Sequence, residues 1–203
     1  MLLAGGASRR FGGEPKGLAM VGDTRMADRV LSALRGATSV QIMVANDSRA
    51  TEWFPGVPVV ADAEPGLGPL AGIETALRSA RGAPVLVVAW DMPFVTAPLL
   101  RGLRALGDAG AAIVVPRHGE GEVLEPLCAY YAASVMTTCE ALVRAGERRA
   151  GALAESVAET MFVPDEMLRQ FGEPARLFLS VDSPADVVRI GTLSPQEKRA
   201  ARR

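Results

Sequence analysis

Residues 85–91, Val-Leu-Val-Val-Ala-Trp-Asp, run through six apolar side chains and stop at a carboxylate. A strand with one wet face alternates apolar and polar residues. A run with no polar break needs cover on both faces, which helices on either side of a parallel sheet supply. Residues 85–90 therefore read as a central strand of an α/β fold. The rest of the chain alternates in the same way. Strands are expected at 1–4, 40–45, 57–61, 111–115, 124–131, 160–163 and 177–181, with Pro126 interrupting the hydrogen bonding of its segment. Helices are expected at 25–35, where Met26, Val30, Leu31 and Leu34 share a face, and at 69–81, with Pro69 in the first turn. Further helices are expected at 97–106, 132–145 and 184–190, the last capped by Ser183. The expectation is one α/β domain over residues 1–193: a Rossmann-like open sheet, mostly parallel and flanked by helices. Residues 194–203 form a polar, basic tail that reads as disordered.

Directly behind the first strand lies Leu-Ala-Gly-Gly-Ala-Ser-Arg-Arg-Phe-Gly-Gly-Glu-Pro-Lys, residues 3–16. Gly5, Gly6, Gly12 and Gly13 let the backbone turn tightly and offer N–H groups to a ligand with no Cβ in the way. Arg10 and Lys16 add charge for phosphate oxygens. The Walker A pattern fails because Lys16 is followed by Gly17, and G-x-G-x-x-G fails because Gly5 and Gly6 are adjacent. The bland alternative is a Gly-rich surface turn with solvated basic residues.

Open α/β sheets bind ligands at the carboxyl ends of their strands, near the switch in strand order. Polar residues collect at those ends: Asn46 and Asp47 after the second strand, Asp62 after the third, Asp91 after the fourth and Asp182 after the last. Asp91 is placed to hold Mg²⁺, which takes one or two carboxylates plus substrate phosphates. Its alternative is a cap on the next helix, for which Thr96 is the better candidate. Asp182 would be the second carboxylate; its alternative is a turn-former before Ser183-Pro184.

A net charge of −1 makes no broad electrostatic case for nucleic acid or a membrane surface. No apolar run has transmembrane length and no signal peptide is visible, so a cytoplasmic protein is the default expectation. Cys128 and Cys139 lack metal or disulfide spacing and read as buried apolar residues. The single histidine, His118, stands in the Gly-rich, charged segment 117–123 and reads as a loop residue.

Five stretches resemble the molybdenum cofactor guanylyltransferase family, MobA-like NTP transferases of the nucleotide-diphospho-sugar transferase fold: residues 3–18, Gly-Pro-Leu-Ala-Gly-Ile at 68–73, Trp-Asp-Met-Pro-Phe at 90–94, Glu-Pro-Leu-Cys-Ala-Tyr-Tyr at 125–131 with Arg-Ala-Gly-Glu-Arg-Arg-Ala at 144–150, and residues 178–187. The loop and the Asp-x-Pro marker are shared with cytidylyl- and uridylyltransferases; Leu-Ala-Gly-Gly with Gly-Pro-Leu-Ala-Gly favours guanylyl transfer. The resemblance implies a Mg²⁺-dependent enzyme that moves GMP from GTP onto molybdopterin-bound molybdenum, releasing pyrophosphate and leaving the guanine dinucleotide form of the cofactor. It further implies that Leu3, Ala4, Gly5 and Gly6 hold the nucleotide with Lys16. Arg10 and Lys16 would stabilise transferring charge, and Asp91, with Asp182, would hold the metal. Gly68, Pro69 and Leu70 would lie against guanine, Asn46 and Asp62 around the nucleotide. Arg148 and Arg149 would meet the acceptor phosphate, or else form a solvated helix end. Proteins that deliver or receive the cofactor are implied by the resemblance alone. The chain departs from the family where Ser180 and Asp182 replace common asparagines and where Pro15 precedes Lys16 in place of a frequent Asp. Open alternatives are cytidylyl transfer, another phosphorylated acceptor, or a non-catalytic nucleotide-binding protein.

Overall fold

A computed structural model describes residues 1–5 and 9–191. The elements, in chain order, are β1 (Leu2–Leu3), β2 (Met20–Val21), β3 (Thr24–Arg25), α1 (Met26–Arg35), β4 (Met43–Val44), α2 (Ala50–Trp53), β5 (Val59–Val60), α3 (Pro69–Ser79) and β6 (Val85–Ala89). They continue with α4 (Ala97–Asp108), β7 (Ile113–His118), β8 (Val123–Leu124), β9 (Cys128–Tyr131), α5 (Met136–Arg144), α6 (Gly151–Ser156), β10 (Thr160–Val163), α7 (Asp165–Leu168), α8 (Pro174–Leu177) and α9 (Pro184–Gly191).

The main sheet has the order β10-β7-β9-β6-β1-β4-β5, with β8 hairpinned onto β7. Pairing is parallel except at β9, which runs antiparallel to both β6 and β7, and at β8, which runs antiparallel to β7. Strand order reverses at β1: β4 and β5 build outward on one side and β6 on the other. The carboxyl ends of β1 and β6 thus flank the crevice where such sheets bind ligands.

The apolar run behaves as expected. Leu86 and Val88 face a core made with α1, α2 and α4, whereas Val85 and Val87 face a second core made with α3, α5 and α6. All five residues of β6 are buried. β1 spans only Leu2–Leu3 of the expected residues 1–4, yet its neighbours' ladder groups are filled. Leu2 N donates to Ile42 O, Ala4 N to Val44 O, Val88 N to Met1 O and Trp90 N to Leu3 O.

Three expectations are corrected. Residues 124–131 are not one strand: Pro126 lies between β8 and β9, and the chain turns there before β9 inserts against β6. Residues 177–181 form no strand. Pro174 starts a helical turn that ends at Leu177, and the following stretch is tied to the sheet end by Val181 N donating to Asp91 O (3.0 Å). His118 ends β7 rather than lying in a loop, and pairs in register with Val123. The basic tail expected at 194–203 lies outside the described residues.

Candidate functional site

A cleft of about 350 Å³ opens at the carboxyl ends of β1, β4, β5 and β6. Residues expected from sequence line much of it: Leu3, Gly5, Lys16, Asn46, Asp62, Gly68, Pro69 and Asp91. Ala4 is buried beside it in the core, its N–H used by the β4 ladder. Leu70, in the first turn of α3, has its side chain fully buried in the core, and its N–H donates to Arg148 O (3.3 Å). Gly6 lies outside the described residues.

The chemical centre is an ion cluster. Lys16 leaves a short turn (Lys16–Leu18) and its Nζ meets Asp91 Oδ2 and, at 3.0 Å, Asp182 Oδ1. Asp91 is held because β6 ends two residues earlier, at Ala89, and Trp90 N is fastened to Leu3 O. Asp182 arrives from far along the chain through the Val181–Asp91 backbone bond. Burial at the cleft floor favours the neutral amine of Lys16, but attraction and hydrogen bonding from Asp91 and Asp182 outweigh it, and the pKa of Lys16 is raised. Thr96 Oγ1 accepts from Leu99 N at the start of α4, so Asp91 is not that helix's cap. Ser183 takes the capping role at α9 through Asp186 N (3.3 Å), which leaves the Asp182 carboxylate turned to Lys16.

Two carboxylates that share one cation are a donor set suited to Mg²⁺. That ion asks for one or two carboxylates and takes its remaining ligands from phosphates and water. Among the described residues no larger cluster of three or more acidic, His or Cys side chains could hold a metal by itself.

The wall opposite is braced by hydrogen bonds. Asn46 Nδ2 donates to Asp62 Oδ2 (2.8 Å), Asp62 N donates to Asn46 Oδ1 (2.8 Å) and Thr75 Oγ1 donates to Asp62 Oδ1 (2.7 Å). The loops after β4 and β5 are thereby locked to α3. Gly68 adopts φ 90°, and a Cβ there would come 3.0 Å from Arg148 O, so the chain before α3 packs directly on the 144–150 segment. Arg148 is exposed, with its side chain unpaired among the described residues, while Arg149 pairs with Glu147 (3.1 Å) and Glu155 (3.6 Å). Arg10 sits exposed on the turn Arg9–Phe11 and is not among the residues that line the cleft.

Several lining residues escaped sequence reasoning: Val44, Ala45, Gly66, Gly72, Ala89, Trp90 and Leu127. Most are strand-end or loop residues with no charge to single them out. Gly72 had a usable signal, a Gly inside a helix, where its absent side chain leaves Leu3 at the cleft wall.

Residues 1–160 match the family model described as "MobA-like NTP transferase domain". The chain is 33% identical to a "Probable molybdenum cofactor guanylyltransferase" of Pelotomaculum thermopropionicum, covering 98% of this chain and 94% of that one. It is 33% identical to a molybdenum cofactor guanylyltransferase of Pseudomonas putida, covering 87% and 94%. Among solved structures, molybdopterin-guanine dinucleotide biosynthesis protein A of Archaeoglobus fulgidus superposes with a TM-score of 0.77 at 29% identity, over 94% of this chain and 95% of that chain.

Proposed function

The chain belongs to the MobA-like NTP transferase family, and from that premise we propose that it transfers GMP from GTP to the terminal phosphate of molybdopterin-bound molybdenum, releasing pyrophosphate. The observation that carries the reading is the meeting of Lys16, Asp91 and Asp182 in a cleft walled by Gly5, Asn46, Asp62, Gly68 and Pro69. A phosphate oxygen of the acceptor attacks the α-phosphorus of GTP. The bond to the bridging oxygen breaks, and pyrophosphate leaves with the electron pair.

Both reactants are anions, so the first task is to cancel their repulsion and hold them in line; no covalent enzyme nucleophile is needed. The Lys16 ammonium would meet the α-phosphoryl oxygens as their charge grows, with Arg10 closing from the outer edge of the loop. Asp91 and Asp182 would hold Mg²⁺, which supplies charge neutralisation to the phosphate chain. Asn46 and Asp62 would frame the nucleotide, and Gly68 and Pro69, with the backbone at Leu70, would lie against the base. Leu3, Ala4, Gly5 and Gly6 would bring the chain close to the phosphates. Arg148 and Arg149 would reach the acceptor phosphate.

The test is a nucleotide panel. The enzyme is incubated with molybdenum cofactor, Mg²⁺ and GTP, CTP, ATP or UTP, and pyrophosphate and the dinucleotide product are measured. Product from GTP alone supports the reading. Product from CTP in preference moves the base assignment to cytidine. Pyrophosphate release that needs some other phosphorylated acceptor replaces the acceptor. None of the nucleotides reacting with any acceptor refutes an enzymatic role.

A further inference from the structure

Lys16 is followed by Gly17, and Asp91 is preceded by Trp90. These two neighbours touch. A Cβ built on Gly17 would stand 2.3 Å from Trp90 Cε3, 2.4 Å from Cδ2 and 2.9 Å from Cγ, so the Gly17 backbone lies directly on the indole. Gly17 has no left-handed φ, so the requirement for glycine comes from the ring and not from the backbone conformation. The indole also stacks on Trp53, with centroids 5.3 Å apart and planes 28° apart. Trp53 ends α2, just beyond the Asn46 loop, and Trp90 N is fastened to Leu3 O. The Lys16 turn and α2 therefore bear on one ring, whose own backbone is fastened to β1.

We propose that the Gly17–Trp90 contact is a positioning device that sets where the Lys16 ammonium stands relative to Asp91; it rests on the nucleotidyl-transfer reading of those two residues. The contact is one residue away from each member of the ion pair. The intervening turn is stiff: Leu18 N donates to Pro15 O and Ala19 N to Lys16 O, both at 3.0 Å. A displacement at Gly17 is therefore passed to Lys16 rather than absorbed. Trp90 is 2% exposed, and its indole N–H is buried without a partner among the described residues. That orphan donor carries a desolvation cost that a purely apolar side chain would avoid. The breadth of the indole, as a shelf for the turn, is the compensating feature.

Because carbon atoms pack at about 3.5–4.0 Å, a methyl group at position 17 has to retreat from the ring by roughly 1 Å or more. Misplacement of a catalytic group by about 1 Å can lower turnover on the order of 10²-fold. Gly17→Ala is expected to lose kcat by about that factor while GTP affinity changes only a few-fold, a split that marks loss of transition-state alignment rather than of binding. Trp90→Leu in the Gly17→Ala background makes room for the methyl group. The double variant is expected to recover about tenfold or more of the lost kcat, a non-additivity of the kind neighbouring residues show. Gly17→Ala turning over like the parent, or a double variant no better than Gly17→Ala, overturns the proposal.

A second readout is optical. The chain has two tryptophans, and both are in this stack, so its tryptophan emission reports on the stack against which the Lys16 turn rests and on the cleft that Trp90 lines. Emission of the free proteins is recorded beside a thermal-shift titration with Mg²⁺·GTP. Emission that differs between free Gly17→Ala and the free parent, with a thermal shift by Mg²⁺·GTP kept in both, supports the contact. Identical emission of the two free proteins overturns it and leaves the nucleotidyl-transfer reading standing. Absence of a thermal shift with every nucleotide overturns that reading and the contact's role with it.

Discussion

Lys16→Ala tests the ion cluster in the absence of substrate as well as in turnover. In the free protein the ammonium holds two carboxylates together, Asp91 with its side chain 12% exposed and Asp182 with 52%. Breaking a fully buried pair costs about 3–5 kcal/mol, because one charge is left without compensation. The cleft floor is not an interior, and the half-exposed Asp182 returns to water at little cost, so the expected loss is about 1–2 kcal/mol. The desolvation of the ammonium works in the other direction, since removing it relieves that burden. The raised pKa of Lys16 says that attraction outweighs burial, so the net sign is a loss of stability. For a chain of about 200 residues, each kcal/mol moves Tm by about 2–4 °C, which places the drop at about 2–8 °C. Millimolar Mg²⁺ should restore much of it, because a divalent ion can take the place of the ammonium between Asp91 and Asp182. Turnover should fall on the order of 10²- to 10³-fold, the scale for removing one donor that meets developing charge. The assay is differential scanning calorimetry in chelator and in Mg²⁺, beside pyrophosphate release. A variant that melts at or above the parent's temperature in chelator refutes the assignment of the cluster as a net stabilising pair. Unchanged turnover removes Lys16 from the chemistry. The sign of the pKa also fixes the pH behaviour. Stability from Lys16 is fully present below the unfolded value of about 10.4 and is lost only as pH rises through the still higher folded value. Activity between about pH 6 and 9 should therefore show no limb from its deprotonation.

Asp91→Asn should raise the Mg²⁺ concentration for half-maximal activity on the order of 10- to 100-fold, the range seen even when outer-shell partners of a metal are changed. A superimposable magnesium titration would remove Asp91 as a ligand. Asp62→Ala strands Asn46 Nδ2 and Thr75 Oγ1 and should cost about 1–3 kcal/mol, with KM for GTP rising more than kcat falls. Equal losses in kcat and kcat/KM would show that Asp62 acts in the transition state instead. Arg49 beside Asp47 holds that carboxylate down at about 2, so the stability it lends is present above the ordinary value of about 4 and lost as pH falls from there through about 2. Asp47→Asn should flatten that part of the acid-unfolding curve; an unchanged curve would show that the pairing has no weight in the folded protein.

The parts of the molecule that could be read in the sequence are those in which one local pattern had one structural outcome. The run at 85–90 could only be a doubly covered strand, and its stop at Asp91 put a carboxylate at the cleft. The glycine loop after β1, Asn46 after β4 and Asp62 after β5 followed from the same rule about strand ends. What stayed hidden depended on which distant segments meet. Residues 177–181 have the composition of a strand, but the sheet offers them no edge beside β6, because β1 and β9 already occupy both sides. The segment is instead held by the backbone bond from Val181 N to Asp91 O and by Val181 packed with Val21, Met26 and Ile190, and that anchoring brings Asp182 to Lys16. Without it, the turn-former reading of Asp182 would have been the better one. The contact between Gly17 and Trp90 in the fold is hidden for the same reason. Each residue is ordinary alone, and only the close approach of the two turns gives the missing Cβ a purpose. Charge and apolar runs announce themselves in a sequence, whereas a site built on a missing atom and a remote tether can be seen only when the chain has folded.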